Sequence, residues 1–300
     1  MAKVKDWISA FRLRTLPLAL SCIFMGSFLA YDQGTFDWSI FVLSITTTIL
    51  LQILSNLSND YGDSIHGADS NIRKGPARLV QQGKITSGQM KSGMIICAIL
   101  AFLSGILLLY RSLAENIIVL IVFIFLGLAA IAAAIKYTSG SNPYGYKGYG
   151  DIAVLVFFGL VGVIGTYFLQ VKNIQMDIIL PALSCGLFAT GVLNVNNIRD
   201  INSDKEAGKI SIPVRLGRDK AIIYHWILLV SGIVSAFVYV FFNYQGYWQF
   251  LFLVTTPLFL KNAKAVSNKV DANELDPYLK QLAISTLLFV VTFGIGLILS

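Results

Sequence analysis

Ile117-Ile118-Val119-Leu120-Ile121-Val122-Phe123-Ile124-Phe125-Leu126-Gly127-Leu128-Ala129-Ala130-Ile131-Ala132-Ala133-Ala134-Ile135 runs without one charged or hydrogen-bonding side chain and stops at Lys136. As a helix, a stretch of roughly 20 apolar residues crosses the ~30 Å hydrocarbon core of a bilayer. Runs of comparable length recur on both sides of it. Read with a window of about 19 residues, the chain holds nine candidate spans, near 16–32, 38–58, 92–110, 116–136, 152–170, 177–196, 221–242, 247–262 and 281–299. The predicted fold class is all-α, a polytopic membrane protein of nine transmembrane helices in a single domain over 1–300. Composition agrees: 56% of residues are hydrophobic and 13% charged, with a mean hydropathy of +0.71. Soluble domains carry about 25% charged residues, so a soluble enzyme with buried helices is excluded.

Local signals place the ends of these spans. Thr86 followed by Gln89 predicts a capping box ahead of the third. Pro181 falls in the first turns of the sixth, where a missing N–H costs least. Lys3, Lys5, Asp6, Trp7, Arg12 and Arg14 precede the first apolar run and predict a short amphipathic helix at the interface, with no cleaved signal peptide. Every Lys and Arg except Arg111 and Lys172 then falls on one side of the membrane. By the positive-inside rule that side is cytoplasmic, which puts the N-terminus inside and the C-terminus outside a bacterial inner membrane. The net charge of +7 is thereby a topology signal and not the mark of a nucleic-acid partner. Cys22, Cys97 and Cys185 each lie in an apolar run and read as small packing residues; His66 and His225 belong to no ligand motif.

Polar residues concentrate in two cytoplasmic segments. Span two closes on Ser55-Asn56-Leu57-Ser58-Asn59-Asp60-Tyr61-Gly62-Asp63, and span six on Asn194-Val195-Asn196-Asn197-Ile198-Arg199-Asp200-Ile201-Asn202-Ser203-Asp204. Asn56, Asp60 and Asp63 recur at helical spacing, as do Asn197, Asp200 and Asp204, so each set predicts one stripe on one helix face. Carboxylates a turn apart repel, and a cation between them relieves the repulsion. Their oxygens suit a hard ion; magnesium takes few protein ligands and shares phosphate oxygens. One such cluster would read equally well as solvated helix ends, but two matched clusters at membrane depth point to function. Arg73, Lys74, Arg78 and Lys84 follow the first stripe; Lys205, Lys209 and Arg215 follow the second. Together these groups predict a site for a magnesium-bound diphosphate. The loop 136–151, rich in glycine and tyrosine, reads as tight turns, an interfacial belt or an aromatic rim over that site; it is no nucleotide-binding glycine motif.

At these residues the sequence resembles the UbiA-type intramembrane prenyltransferases, whose pattern pairs an NDxxD-type motif with a DxxxD motif. Here they stand as Asn59-Asp60-Tyr61-Gly62-Asp63 and Asp200-Ile201-Asn202-Ser203-Asp204. Within the family the resemblance runs to the menaquinone branch, which prenylates 1,4-dihydroxy-2-naphthoate. Its supporting strings are Arg14-Thr15-Leu16-Pro17, the run from Asn56 to Asp69, Tyr144-Gly145-Tyr146 with Gly148 and Gly150-Asp151, and Asn196-Asn197-Ile198-Arg199-Asp200. Many members carry a third acid where this chain has Gly67; Asp69 follows two residues on.

The resemblance implies nine helices around a cavity open to lipid, with Mg2+ held by Asp60, Asp63, Asp200 and Asp204. It implies a substrate-binding set of Asn56, Asn59, Asp69, Arg73, Arg78, Lys84, Lys136, Tyr137, Lys147, Asn196, Asn197 and Lys209. The implied reaction transfers a polyprenyl group from polyprenyl diphosphate to 1,4-dihydroxy-2-naphthoate with loss of its carboxylate. Competing acceptors are 4-hydroxybenzoate, homogentisate and haem. A competing class is a cation-coupled transporter with matched half-motifs, disfavoured because the acids sit at helix ends and not at mid-membrane.

Overall fold

A computed structural model describes residues 2–65 and 78–300. Its helices are α1 (Val4–Phe11), α2 (Leu16–Asp32), α3 (Trp38–Ile65), α4 (Ser87–Leu113), α5 (Ile117–Lys136), α6 (Gly150–Val154), α7 (Gly165–Val171), α8 (Ile179–Arg199), α9 (Ile201–Glu206), α10 (Ile212–Leu216), α11 (Arg218–Phe242), α12 (Thr256–Asn268) and α13 (Ala272–Ile298). A π-helical stretch, Leu155–Ile164, joins α6 to α7 as one span. Among the described residues eight helical segments are long and apolar enough to cross a membrane, and no strand occurs.

The fold class stands as read, and eight of the nine expected spans have a counterpart. The expected span at 247–262 is instead a 3-10 stretch, Tyr247–Thr255, followed by α12. Pro257 lies in the first turn of α12 and lacks the N–H that would continue a regular helix through it. The 3-10 stretch and α12 follow one another without a gap, and Lys261 and Lys264 lie in the second half. The Thr86 cap forms as expected: Gln89 N donates to Thr86 Oγ1 at 3.2 Å and Thr86 N to Gln89 Oε1 at 3.0 Å. All three cysteines are buried and free.

Chain neighbours pack on one another from α2 through α5, and from the α6–α7 span through α8, α11 and α12 to α13. The last helix, α13, returns to pack along α2, so the two ends of the chain meet. The main core lies between α8, α11, α12 and α13, where Phe188 sits 4.4 Å from Phe259 and 5.0 Å from Phe289, centroid to centroid. Such rings bury large apolar areas with favourable edge-to-face geometry. The π-helical span crosses α8 at Gly159 and Gly186. A Cβ on Gly159 would lie 2.7 Å from the Ala182 carbonyl, so only glycine allows this approach. Outward faces of α4 and α5, including Ile95, Ile99, Leu103, Ile118 and Phe125, are exposed apolar surface of the kind lipid covers.

Arg111 and Lys172, the two cations left on the far side, share one end of the molecule. Arg111 donates to Asp37 Oδ2 at 2.5 Å, and Lys172 donates to Ser112 Oγ. Hydrogen bonds from Ser39 and backbone hold the Asp37 carboxyl below its usual range, and burial draws Lys172 down to about 8.

Candidate active site

α3 continues to Ile65, two turns beyond the expected end of span two, so Asn56, Asp60 and Asp63 lie within regular helix. Each meets a different partner. The Asn56 amide turns away from the acids: it donates to the Phe11 carbonyl at 2.9 Å and to Thr15 Oγ1 at 3.0 Å, fastening the N-terminal segment to α3. Asp60 is 2% exposed; Oδ2 accepts from Leu79 N at 3.2 Å, while Oδ1 is buried with no hydrogen-bond partner. Asp63 accepts from Tyr146 OH at 2.7 Å and pairs with the Arg78 guanidinium. Arg78 also donates to the Asn59 carbonyl at 2.5 Å, and Thr138 Oγ1 donates to Asn59 Oδ1 at 3.0 Å. The segment after α5 is thereby seamed to the acidic end of α3.

The second stripe bends. α8 ends at Arg199 and α9 starts at Ile201, with Asp200 at φ −97°, ψ 11° between them. The helical bonding survives, Asp200 N to the Asn196 carbonyl at 3.0 Å and Asp204 N to the Asp200 carbonyl at 2.8 Å. The single straight face expected for Asn197, Asp200 and Asp204 is corrected to a kinked one. Asn197 Oδ1 is buried and unpartnered. Asp200 receives Arg199 through Nε at 2.8 Å and NH2 at 2.7 Å, and Asn196 Oδ1 accepts from the same guanidinium at 2.8 Å. Asp204 pairs with Lys209 at 3.0 Å. Burial raises the Asp204 carboxyl above its usual range; Lys209 opposes this, and the charges of Asp200 and Asp63 reinforce it.

Hydrogen bonds through Tyr146, to Asp63 on α3 and to Ile210 beside the Lys209 that pairs with Asp204, bring the two stripes together at one end of the molecule. The turn Tyr144–Lys147 lies between them. Tyr146 bonds Asp63 on one side, and its carbonyl accepts from Ile210 N at 2.7 Å on the other. Arg215 NH2 donates to the Lys147 carbonyl at 2.7 Å. Burial, then the charge of Asp63 and the hydrogen bond to it, holds the Tyr146 phenol far above its usual range. Tyr137 behaves alike through burial and the charges of Asp151, Asp204 and Asp63, and burial alone raises Tyr144 to about 12. All three stay protonated at neutral pH.

Of the expected substrate-binding residues, Asn59, Arg78, Tyr137, Asn196, Asn197 and Lys209 are gathered here. Lys84, Lys136 and Lys147 are exposed, and no described contact joins their side chains to the acids. Asp69 and Arg73 lie outside the described residues, as does Gly67. Tyr146 and Arg199 stood in the strings that carry the resemblance without an assigned role, while Thr138 and Asp276 were not singled out, the last accepting from Arg199 NH1 at 2.6 Å. Tyr146 had a signal in the tyrosine-rich loop; Asp276, 72 residues after Asp204, had none.

The donor set suits magnesium. Each stripe offers one buried, unpartnered oxygen, Asp60 Oδ1 and Asn197 Oδ1, with further carboxylates beside them. Among the described residues no three acidic, histidine or cysteine side chains converge tightly enough to chelate an ion alone. An ion that completes its shell with water and phosphate oxygens fits such a spread arrangement. A cavity of about 320 Å3 reaches Asp60, lined also by Ile8, Ser9, Arg12, Leu13, Arg14 and Leu79.

Comparison with known proteins adds the following. The family model described as "UbiA prenyltransferase family" matches residues 19–298. The 1,4-dihydroxy-2-naphthoate octaprenyltransferase of Escherichia coli (strain K12) is 43% identical over 300 residues, which covers 100% of this chain and 97% of that protein. The protein of the same description from Mycobacterium tuberculosis (strain ATCC 25618 / H37Rv) is 34% identical, over 96% of this chain and 95% of its own. Among solved structures, a UbiA homolog from Aeropyrum pernix K1 superposes with a TM-score of 0.70 at 16% identity, covering 96% of this chain and 98% of that one. One from Archaeoglobus fulgidus, bound to GPP and Mg2+, gives 0.59 at 18% identity, covering 97% and 100%. At such identities the solved structures speak for the fold alone.

Proposed function

The chain belongs to the UbiA prenyltransferase family, and from that membership we propose that it transfers a polyprenyl group from polyprenyl diphosphate to 1,4-dihydroxy-2-naphthoate, with loss of the carboxylate, as one domain over 1–300. The observation that carries this reading is the meeting of two acidic helix ends at one end of the bundle, each with an unpartnered buried oxygen. The identity of 43% across the full length to a protein described as acting on that acceptor supports the choice of substrate.

In this reading Asp60, Asp63, Asp200 and Asp204 hold Mg2+, with Asn197 completing the set. Bound there, magnesium supplies the positive charge that stabilises a departing diphosphate. Arg78 and Lys209 stand against Asp63 and Asp204 and bring further positive charge to the same place. Tyr146 and Tyr137 remain neutral; Tyr146 orients Asp63 by donating a hydrogen bond to it, and both rings offer electron-rich faces to an allylic cation. The apolar helices keep water from that cation until the activated ring carbon attacks it. The site and the N-terminus face the cytoplasm of a bacterial inner membrane, in keeping with the distribution of Lys and Arg.

The test is the mass of the product formed by purified protein from a polyprenyl diphosphate and 1,4-dihydroxy-2-naphthoate. A prenylated, decarboxylated naphthoquinol is expected. Product from 4-hydroxybenzoate or homogentisate alone would replace the acceptor; flux into sealed vesicles with no covalent product would overturn the enzyme.

A further inference from the structure

Among the described residues Arg199 is the most enclosed cation at the site, its side chain 1% exposed. It grips Asp200 with two nitrogens and passes its third to Asp276 Oδ1 at 2.6 Å. The other oxygen of Asp276 accepts from Arg14 NH1 at 3.0 Å. Charges therefore alternate along a chain: Asp200, Arg199, Asp276, Arg14. The chain links the end of α8, the first turns of α13 and the 3-10 turn Leu13–Thr15, and its last member lines the cavity that reaches Asp60. Asp276 sits on a fixed segment. Asn262 on α12 donates to the Tyr278 carbonyl at 2.9 Å and to Gln281 Oε1 at 2.6 Å, which registers this part of α13.

The charge order has a consequence for a cation at Asp200. A guanidinium bound to a carboxylate competes with any metal for it and repels that metal. A second carboxylate behind the guanidinium offsets the repulsion and fixes the plane of the first carboxylate. Partners of this kind hold ligands in place, and their removal commonly weakens metal binding 10–100-fold. We propose that Asp276 is a positioning residue for Asp200: acting through Arg199, it sets the orientation and the available charge of that carboxylate for a divalent cation. The inference rests on the reading of Asp200 as a metal-holding carboxylate.

The full-length protein in lipid nanodiscs provides the test. Mn2+ affinity is measured by electron paramagnetic resonance, beside the Mg2+ concentration giving half-maximal rate and the melting temperature, in wild type, Asp276→Asn, Asp276→Ala, Asp276→Glu and Asp200→Asn. Asp276→Ala is expected to weaken Mn2+ binding about 10–100-fold and to raise the half-saturating Mg2+ in parallel. At saturating Mg2+ its rate should stay near wild type. Asp276→Asn keeps an acceptor but loses the charge and should fall between; Asp276→Glu should recover most of the affinity. Should Asp276→Ala fail to fold, Asp276→Asn carries the same reading. Wild-type Mn2+ affinity in folded Asp276→Asn and Asp276→Ala, with affinity lost in Asp200→Asn, overturns the positioning role and leaves the function standing. Wild-type affinity in Asp200→Asn overturns the metal assignment beneath both.

Discussion

Gly62 stands on α3 between Asp60 and Asp63, and replacing it by Ala tests how tightly the acids are held. A Cβ there would lie 2.4 Å from the Thr138 carbonyl oxygen, 2.5 Å from its carbon and 2.9 Å from Ser139 N. All three are backbone atoms, and ordinary contacts are roughly 3.5 Å, so the two segments must part by about 1 Å. The seam that resists includes Thr138 Oγ1 to the Ser58 carbonyl at 3.0 Å and Ser58 Oγ to the Ile135 carbonyl at 3.0 Å. Ala gains about 1 kcal/mol of helix propensity over Gly. Overpacking costs about 1–3 kcal/mol, and each strained seam bond about 1 kcal/mol more. With both named seam bonds strained, a net loss of about 2–4 kcal/mol follows. A 1 Å misplacement of reacting groups costs on the order of 10²-fold in rate. Initial rates of product formation, read by mass spectrometry beside the melting temperature, check both figures. Gly127→Ala on α5 meets nothing within 4 Å and serves as the control, expected to keep its rate. Gly62→Ala with wild-type kcat/KM would refute the claim that this seam places Asp60 and Asp63.

Asp60→Ala and Asp200→Ala should each lower turnover by at least about 10²-fold while the protein still inserts into membranes, and EDTA should stop the wild type reversibly; activity assays with added Mg2+ decide this. Tyr146→Phe removes the hydrogen bond to Asp63 and should slow turnover about tenfold with little change in melting temperature. Asn262→Ala breaks bonds to His225, Tyr278 and Gln281. Hydrogen bonds between membrane helices average about 0.6 kcal/mol, so about 1–2 kcal/mol of stability should be lost, visible as a lower denaturation midpoint.

Span positions were legible because hydropathy over 20 residues is a local property. Ile117–Lys136 and Arg218–Phe242 lie within a few residues of their expected bounds. The stretch 247–262 was legible as apolar, but a sliding average cannot see that Pro257 divides it between a 3-10 segment and α12. The acidic stripes were legible from spacing, but their partners were not. Asn56 shares the face of Asp60 in sequence, yet the arrival of Phe11 and Thr15 beside it gives it another task. Lys136 and Lys147 entered the expected set through the resemblance; here both are exposed, and no described contact joins their side chains to the acids. Asp276 meets Arg199 because α13 packs against α8, a long-range contact that no local pattern encodes.

Electron–nuclear double resonance on Mn2+-loaded protein with polyprenyl diphosphate asks most directly whether both helix ends grip one metal-bound headgroup. Phosphorus couplings should appear in the wild type and vanish in Asp60→Asn and in Asp200→Asn alike. Couplings that persist unchanged in either variant would place the metal and diphosphate elsewhere.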